Sequence, residues 1–130
     1  MHCITAFSPS YTVYVVSAME WAVSNSVLRG KPYGGVATLI HKGFSTRASC
    51  VKCAERHIIT VIDKVYFVNV YFPFRAPVSN VIVIAVLDEI ESVVSLQPDY
   101  CVVLGDDFNT DLSINWNQFK PIFSFLTAHD

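Results

Sequence analysis

Charged residues are scarce in this chain, and long hydrophobic runs are missing from it as well. Only 15% of the 130 residues are Asp, Glu, Lys or Arg, against about 25% in a typical soluble domain. With 52% apolar residues, the chain is too hydrophobic to be intrinsically disordered. Its longest unbroken apolar run covers only 81–87, whereas a transmembrane helix needs about 20 residues. We therefore expect a single globular domain and no membrane partner.

Lys and Arg are absent before Arg29, so the positively charged start of a secretory signal is missing. We expect an intracellular protein, nuclear or cytoplasmic. The net charge of −2 gives no overall basic footprint for a nucleic acid. Seven of the nine Lys and Arg residues nevertheless fall between Arg29 and Lys64, so a local basic surface stays open beside the alternative of chance variation.

Two of the four cysteines, Cys50 and Cys53, have the spacing of metal ligands, and His57 follows four residues later. A structural zinc site needs four ligands, usually from two such pairs, and only half of that set is present. Zinc is therefore the less favoured interpretation, and the sequence leaves open whether this pair binds anything. A disulfide scaffold is not expected, because the chain is long enough to bury an apolar core without one.

Apolar periodicity predicts strands first and helices later. Runs of β-branched and aromatic residues predict strands over 11–16, 35–40, 47–53, 57–62, 65–72 and 100–104. A turn at Asp63-Lys64 would join two strands that we expect to be buried on both faces. Helical spacing predicts a helix over 79–96 with Val83, Leu87, Ile90 and Val94 on one face. A second helix is predicted over 116–128 with Trp116, Phe119, Phe123 and Leu126 along one side. This order predicts an α+β fold of sheets covered by helices.

Polar side chains at the ends of two predicted strands form the candidate site. Asp107 and Asn109 follow the strand at 100–104 and are two residues apart, so they share a face of an extended segment. A carboxylate can ligate a hard cation or orient a water, and an amide can donate to a phosphate oxygen. An Asx turn is the structural alternative. Asn69 and Tyr71 share a face in the same way, with an ordinary core aromatic as the alternative for Tyr71.

Three motifs occur in the order and with the spacing of a known family. They are Tyr33-Gly-Gly-Val-Ala37, Asn69-Val-Tyr-Phe-Pro73 and Gly105-Asp-Asp-Phe-Asn-Thr-Asp111. Together they resemble motifs of the endonuclease/exonuclease/phosphatase superfamily. The run Arg29-Gly-Lys-Pro-Tyr-Gly-Gly35 is most similar to the apurinic-endonuclease-like domain of LINE-type, non-LTR retrotransposons. The resemblance covers about 11–127, so residues 1–130 are expected to be one partial domain of this kind.

The resemblance implies a partial four-layer α/β/β/α sandwich, DNase I-like, that hydrolyses a phosphodiester with Mg²⁺ and has DNA as its partner. Asp107 matches the aspartate that orients the attacking water, and Asn109 matches the amide that positions the phosphate near the metal. Both are therefore expected at the Mg²⁺ ion. Tyr71 matches the tyrosine that contacts the phosphate, and Asn69 is expected to bind substrate beside it.

Parts of the family pattern have no counterpart in this chain. The metal-ligating Glu is not visible before Tyr11, and the late Asp and the terminal Ser-Asp-His motif are missing. Asp106 stands where the retrotransposon pattern often has glycine, which would strain a backbone of positive φ. We therefore expect a fragment of a Mg²⁺-dependent endonuclease that is inactive alone. The alternative is a non-catalytic remnant or interaction module that self-associates through an exposed apolar sheet.

Overall fold

The computed structural model of the protein describes residues 2–3, 9–17, 35–72, 79–106 and 116–129. Its strands are β1 (His2–Cys3), β2 (Tyr11–Val16), β3 (Val36–His41), β4 (Ala48–Ala54), β5 (His57–Ile62), β6 (Val65–Val70) and β7 (Cys101–Gly105). Its helices are α1 (Ser79–Val94) and α2 (Trp116–Ala128). Mixed strands and helices confirm the α+β prediction, and the predicted boundaries are close to those observed. Three differences stand out: β1 was not predicted, β6 ends at Val70 rather than at residue 72, and α1 ends at Val94 rather than at residue 96.

The strands form two sheets. In the first sheet, β1, β2 and β3 pair antiparallel in chain order. In the second sheet, β4, β5 and β6 are antiparallel neighbours, and β7 joins β6 in parallel. A parallel pair cannot be joined by a hairpin, and here the connection from β6 to β7 runs through α1. The carboxyl ends of β6 and β7 therefore lie at the same edge of the second sheet.

The hairpin between β5 and β6 turns at Asp63-Lys64, as predicted. Ile62 pairs with Val65, so the loop has two residues, and Asp63 adopts φ 54°. Two-residue hairpin loops need positive φ to match the twist of the strands, and Asp tolerates that conformation better than most residues. The turn fixes the register of the whole hairpin, because every later pair is set by the first.

The two helices cover one face of the second sheet. Their shared core contains Ile59, Tyr66, Val68, Val70, Val83, Val86, Leu87, Ile90, Val94, Ile122 and Phe125. The predicted buried face of α1 is confirmed, since Ile90 is fully buried and its three predicted companions are at most 5% exposed. This contact between helix and sheet is the main apolar core of the described residues.

The buried side of α2 differs from the prediction. Ile122 and Phe125 are buried, whereas Phe123 and Leu126 are only partly buried. The side chains of Trp116 and Phe119, which the prediction placed on the same side, lie outside the described residues. The helix is rotated relative to the predicted line because its contact with α1 selects the stripe that starts at Ile122.

The first sheet packs against the other face of the second sheet, where β2 and β3 contact β4, β5 and β6. The described residues thus form three layers, with the second sheet in the middle. The expectation that β5 and β6 are buried on both faces is wrong for β6. Phe67 is 39% exposed, and its partner Val103 on β7 is 49% exposed. The first sheet does not extend over this part of the second sheet's face.

Candidate functional site

Two of the sequence motifs meet at the carboxyl edge of the second sheet. Asn69 on β6 is the register partner of Gly105 on β7, so the motifs that begin at these two residues start at the same level of the sheet. Tyr71 follows the end of β6, and Asp106 follows the end of β7. Asp107 and Asn109, the predicted catalytic and metal residues, lie outside the described residues.

Asn69 connects the two sheets. Its Nδ2 donates to the backbone oxygen of Ala37 at 2.7 Å and lies 3.4 Å from Oγ1 of Thr38, both on β3. Asn69 shares a sheet face with Phe67, so both side chains are directed to the first sheet. The predicted substrate-binding role of Asn69 stays a prediction, but its amide nitrogen is already engaged inside the fold.

Tyr71 lies beside Arg56, which the sequence interpretation did not single out. The backbone N–H of Tyr71 donates to the carbonyl of Arg56 at 2.8 Å, and Tyr71 itself is half-buried. The Arg56 guanidinium is 3.8 Å from the Glu55 carboxylate. The sequence could have predicted this neighbour. In an antiparallel hairpin the residue numbers of paired residues have a constant sum, and the predicted turn at Asp63-Lys64 therefore places Arg56 opposite Tyr71.

Asp106 does not carry the expected strain. Among the residues that the structure describes, Asp63 is the only non-glycine with positive φ, so Asp106 occupies the glycine position of the resembled motif in an ordinary backbone conformation. Both of its carboxylate oxygens are buried from solvent. The Asp106 carboxylate therefore points into the protein and is not available to a ligand at the surface of this edge.

A metal ion has no complete set of ligands in the described part of the chain. No group of three or more His, Cys, Asp or Glu residues there could hold one. Mg²⁺ is consequently an expectation that rests on Asp107 and Asn109 through the resemblance.

A cavity of about 300 Å³ lies next to the same edge, between the turn from β4 to β5 and α1. Arg56, His57, Ile82 and Glu89 are among its lining residues. His57 is only 1% exposed, and neither ring nitrogen has a hydrogen-bond partner among the described residues. Nε2 is 3.9 Å from the Glu89 carboxylate. Burial lowers the pKa of His57, which the Glu89 charge opposes only in part, so the imidazole is neutral at neutral pH.

Comparisons with known proteins identify no relative of this chain. No protein family, curated protein or solved structure matched this chain. Among the described residues, no helix is both long and apolar enough to cross a membrane.

Proposed function

We propose that this chain carries part of the active site of a Mg²⁺-dependent phosphodiesterase that acts on DNA, within a partial four-layer α/β/β/α sandwich of the DNase I type. One observation supports it above the others: the pairing of Asn69 with Gly105. That register starts two of the three resembling motifs side by side at the carboxyl ends of parallel strands. Ligands of α/β sheets bind at this kind of edge.

The described residues at the edge suit a phosphate group. The Tyr71 hydroxyl can donate to a phosphate oxygen, and the adjacent Arg56 guanidinium offers a planar set of donors that matches phosphate geometry. The Arg56 side chain is 19% exposed and its guanidinium is 3.8 Å from the Glu55 carboxylate, so part of it is accessible to a ligand at this edge. In this proposal Asp107 and Asn109 would hold the Mg²⁺ ion, which would stabilise charge on the phosphate; Asp107 would orient the attacking water and Asn109 would position the phosphate. In this proposal the protein acts inside the cell, in the nucleus or the cytoplasm.

Binding and cleavage are expected to separate in this polypeptide. The printed sequence has no counterpart of the family's metal-ligating Glu or of its Ser-Asp-His motif. General-base catalysis needs a positioned proton acceptor, and tight metal binding needs a full ligand set. We therefore expect these 130 residues to hold Mg²⁺ only weakly, to bind DNA when Mg²⁺ is present in excess, and not to cut it.

The test is fluorescence anisotropy of a short labelled DNA titrated with the purified protein, with Mg²⁺ and with EDTA. Tyr71→Phe should weaken the Mg²⁺-dependent binding by about tenfold, the value of one hydrogen bond to a charged group. Asp107→Ala should reduce the difference between Mg²⁺ and EDTA, because Asp107 is an expected ligand of the metal. Tyr100→Phe is the matched control, because Tyr100 precedes β7 at the opposite edge. Binding that ignores Mg²⁺ and both substitutions would refute the proposal. Plasmid nicking that disappears in Asp107→Ala would instead refute the expected inactivity.

A second function, that of a self-associating interaction module, is favoured by one observation. Phe67 and Val103 are direct register partners, and both expose their side chains on the face that the first sheet leaves uncovered. Exposed apolar patches on sheets favour association. Concentration-dependent oligomers on size-exclusion chromatography, abolished by Phe67→Ser, would support this function. A monomer that binds no hydrophobic dye would exclude it.

A further inference from the structure

Cys50 and Cys53 lie on the same face of β4 although they are three residues apart. In a regular strand, residues at this spacing point to opposite faces. The register of β4 against β5 shifts between Cys50 and Lys52, which is a β-bulge. As a result Cys50 pairs with Thr60 and Cys53 pairs with Ile58, two partners that share a face of β5.

The bulge also brings the two cysteines within reach of a covalent bond. Partners two residues apart on a strand imply a Cα separation of about 6.6 Å, and disulfides span about 4.4–6.8 Å between Cα atoms. The two Sγ atoms are already 3.2 Å apart. Both side chains are half-buried in the reduced form, so each keeps some access to solvent.

The same register places His57 away from the two cysteines. His57 neighbours Ile58 along β5, so its ring lies on the opposite face of the strand, where it lines the cavity beside α1. A tetrahedral zinc site would need two further ligands next to the cysteines, and the described residues supply no such cluster. What remains is the chemistry of two adjacent thiols.

We propose that Cys50 and Cys53 form a modification site, a dithiol that low-molecular-weight disulfides oxidise to an intrachain disulfide. In the first step one cysteine thiolate attacks a sulfur of the oxidant R–S–S–R, which forms a mixed disulfide and releases one R–S⁻. In the second step the other thiolate attacks the cysteine sulfur of that mixed disulfide, and the second R–S⁻ leaves. Two electrons pass to the oxidant, and the two thiol protons end on two molecules of R–SH.

The surroundings of the pair indicate the order of the two steps. Burial, followed by the hydrogen bond that the Cys50 thiol makes with Cys53, raises the pKa of Cys50 to about 12. Its thiolate is scarce at neutral pH, so Cys53 makes the first attack. The mixed disulfide removes the Cys53 thiol, and with it one cause of the raised pKa. Cys50 then resolves the intermediate. This site is independent of the proposed phosphodiesterase function.

The experiment equilibrates the native protein with reduced and oxidised glutathione, quenches with acid, alkylates the free thiols and maps the peptides by mass spectrometry. The same equilibrium is measured in 8 M urea (about 8 M suffices to unfold most domains). We expect one disulfide between Cys50 and Cys53, favoured at least about tenfold over the unfolded chain. Cys50→Ser should trap a stable mixed disulfide on Cys53, and Cys101→Ser is the control that leaves the disulfide unchanged.

Each other result overturns the inference. A Cys50–Cys53 disulfide that forms no more readily in the native protein than in urea would show that the bulge does not pre-arrange the thiols. Mixed disulfides without ring closure would show that Cys50 cannot reach Cys53. Far-UV circular dichroism of the oxidised protein should match that of the reduced protein, because the two sulfur atoms are already in contact. A loss of strand signal on oxidation would contradict the proposed geometry.

Discussion

The hydrogen bond from Asn69 to the first sheet allows a test of whether this residue holds the fold together or binds substrate. Asn69→Ala removes the 2.7 Å bond to the Ala37 carbonyl and the weaker contact with Thr38. A hydrogen bond contributes about 1 kcal/mol net, and an acceptor left without a partner costs somewhat more when it is buried. Ala37 is exposed, so water can replace the amide there. We therefore expect a loss of about 0.5–1.5 kcal/mol in the free energy of unfolding.

Urea denaturation followed by circular dichroism measures this loss. With a slope of about 2 kcal/mol/M, the midpoint should fall by about 0.2–0.8 M. Asn69→Asp keeps the size of the side chain but turns an oxygen toward the Ala37 carbonyl, so it should be less stable than Asn69→Ala at neutral pH and recover in acid, where the carboxyl can donate. Thr38→Val is the control for the longer contact and should cost less than about 0.5 kcal/mol.

Stability and binding together decide the role of Asn69. If Asn69→Ala keeps the stability of the parent but loses Mg²⁺-dependent DNA binding, the bond to Ala37 is unimportant, and the reasoning from the structure fails. If stability falls while the DNA affinity of the folded fraction is unchanged, Asn69 is a structural residue whose bond to Ala37 joins the two sheets. If stability and the affinity of the folded fraction both fall, Asn69 also positions the edge that carries Tyr71.

Two further predictions test the helix layer and the buried histidine. Ile90→Ala should cost about 2–5 kcal/mol in the free energy of unfolding. Ile84 is 47% exposed on the other side of α1, so Ile84→Ala should cost less than about 1 kcal/mol. Equal losses of stability in urea would show that the face of α1 with Ile90 does not pack on the sheet. Because burial lowers the pKa of His57 below its ordinary value of 6.5, the unfolded chain binds the proton first, and stability should fall as the pH drops below about 6.5. Glu89→Gln should increase this loss of stability in acid, because the Glu89 charge favours protonated His57. His57→Phe should remove the loss. An unchanged dependence of stability on pH in His57→Phe would contradict the neutral buried imidazole.

Local pattern predicted most of the elements because each depends on neighbours in the chain. The spacing of Val83, Leu87, Ile90 and Val94 alone identifies a helix face, and all four are buried. The turn at Asp63-Lys64 follows from two apolar runs with a two-residue break. These features need no knowledge of distant residues, since the same side chains form the element and choose its buried face.

Features that depend on contacts across the fold could not be predicted in this way. The bond from Asn69 to Ala37 joins residues 32 positions apart and exists only because two sheets pack together. Nothing in the sequence marks the bulge after Cys50. The regular alternation of side chains along a strand would place Cys50 and Cys53 on opposite faces. The prediction of the buried face of α2 was wrong for a related reason. Several faces of that helix carry apolar residues, and the contact with α1 decides which of them is buried.

The two candidate functions use different parts of the second sheet, and this makes them separable. The phosphate-binding candidates Arg56 and Tyr71 lie at the carboxyl edge, whereas Phe67 and Val103 lie on the face toward the first sheet. Phe67→Ser should therefore alter association without altering DNA binding, and Tyr71→Phe should do the reverse. If both substitutions change both measurements, DNA binding requires the associated form. The edge and the exposed face would then belong to one composite surface, completed by a second copy of the chain.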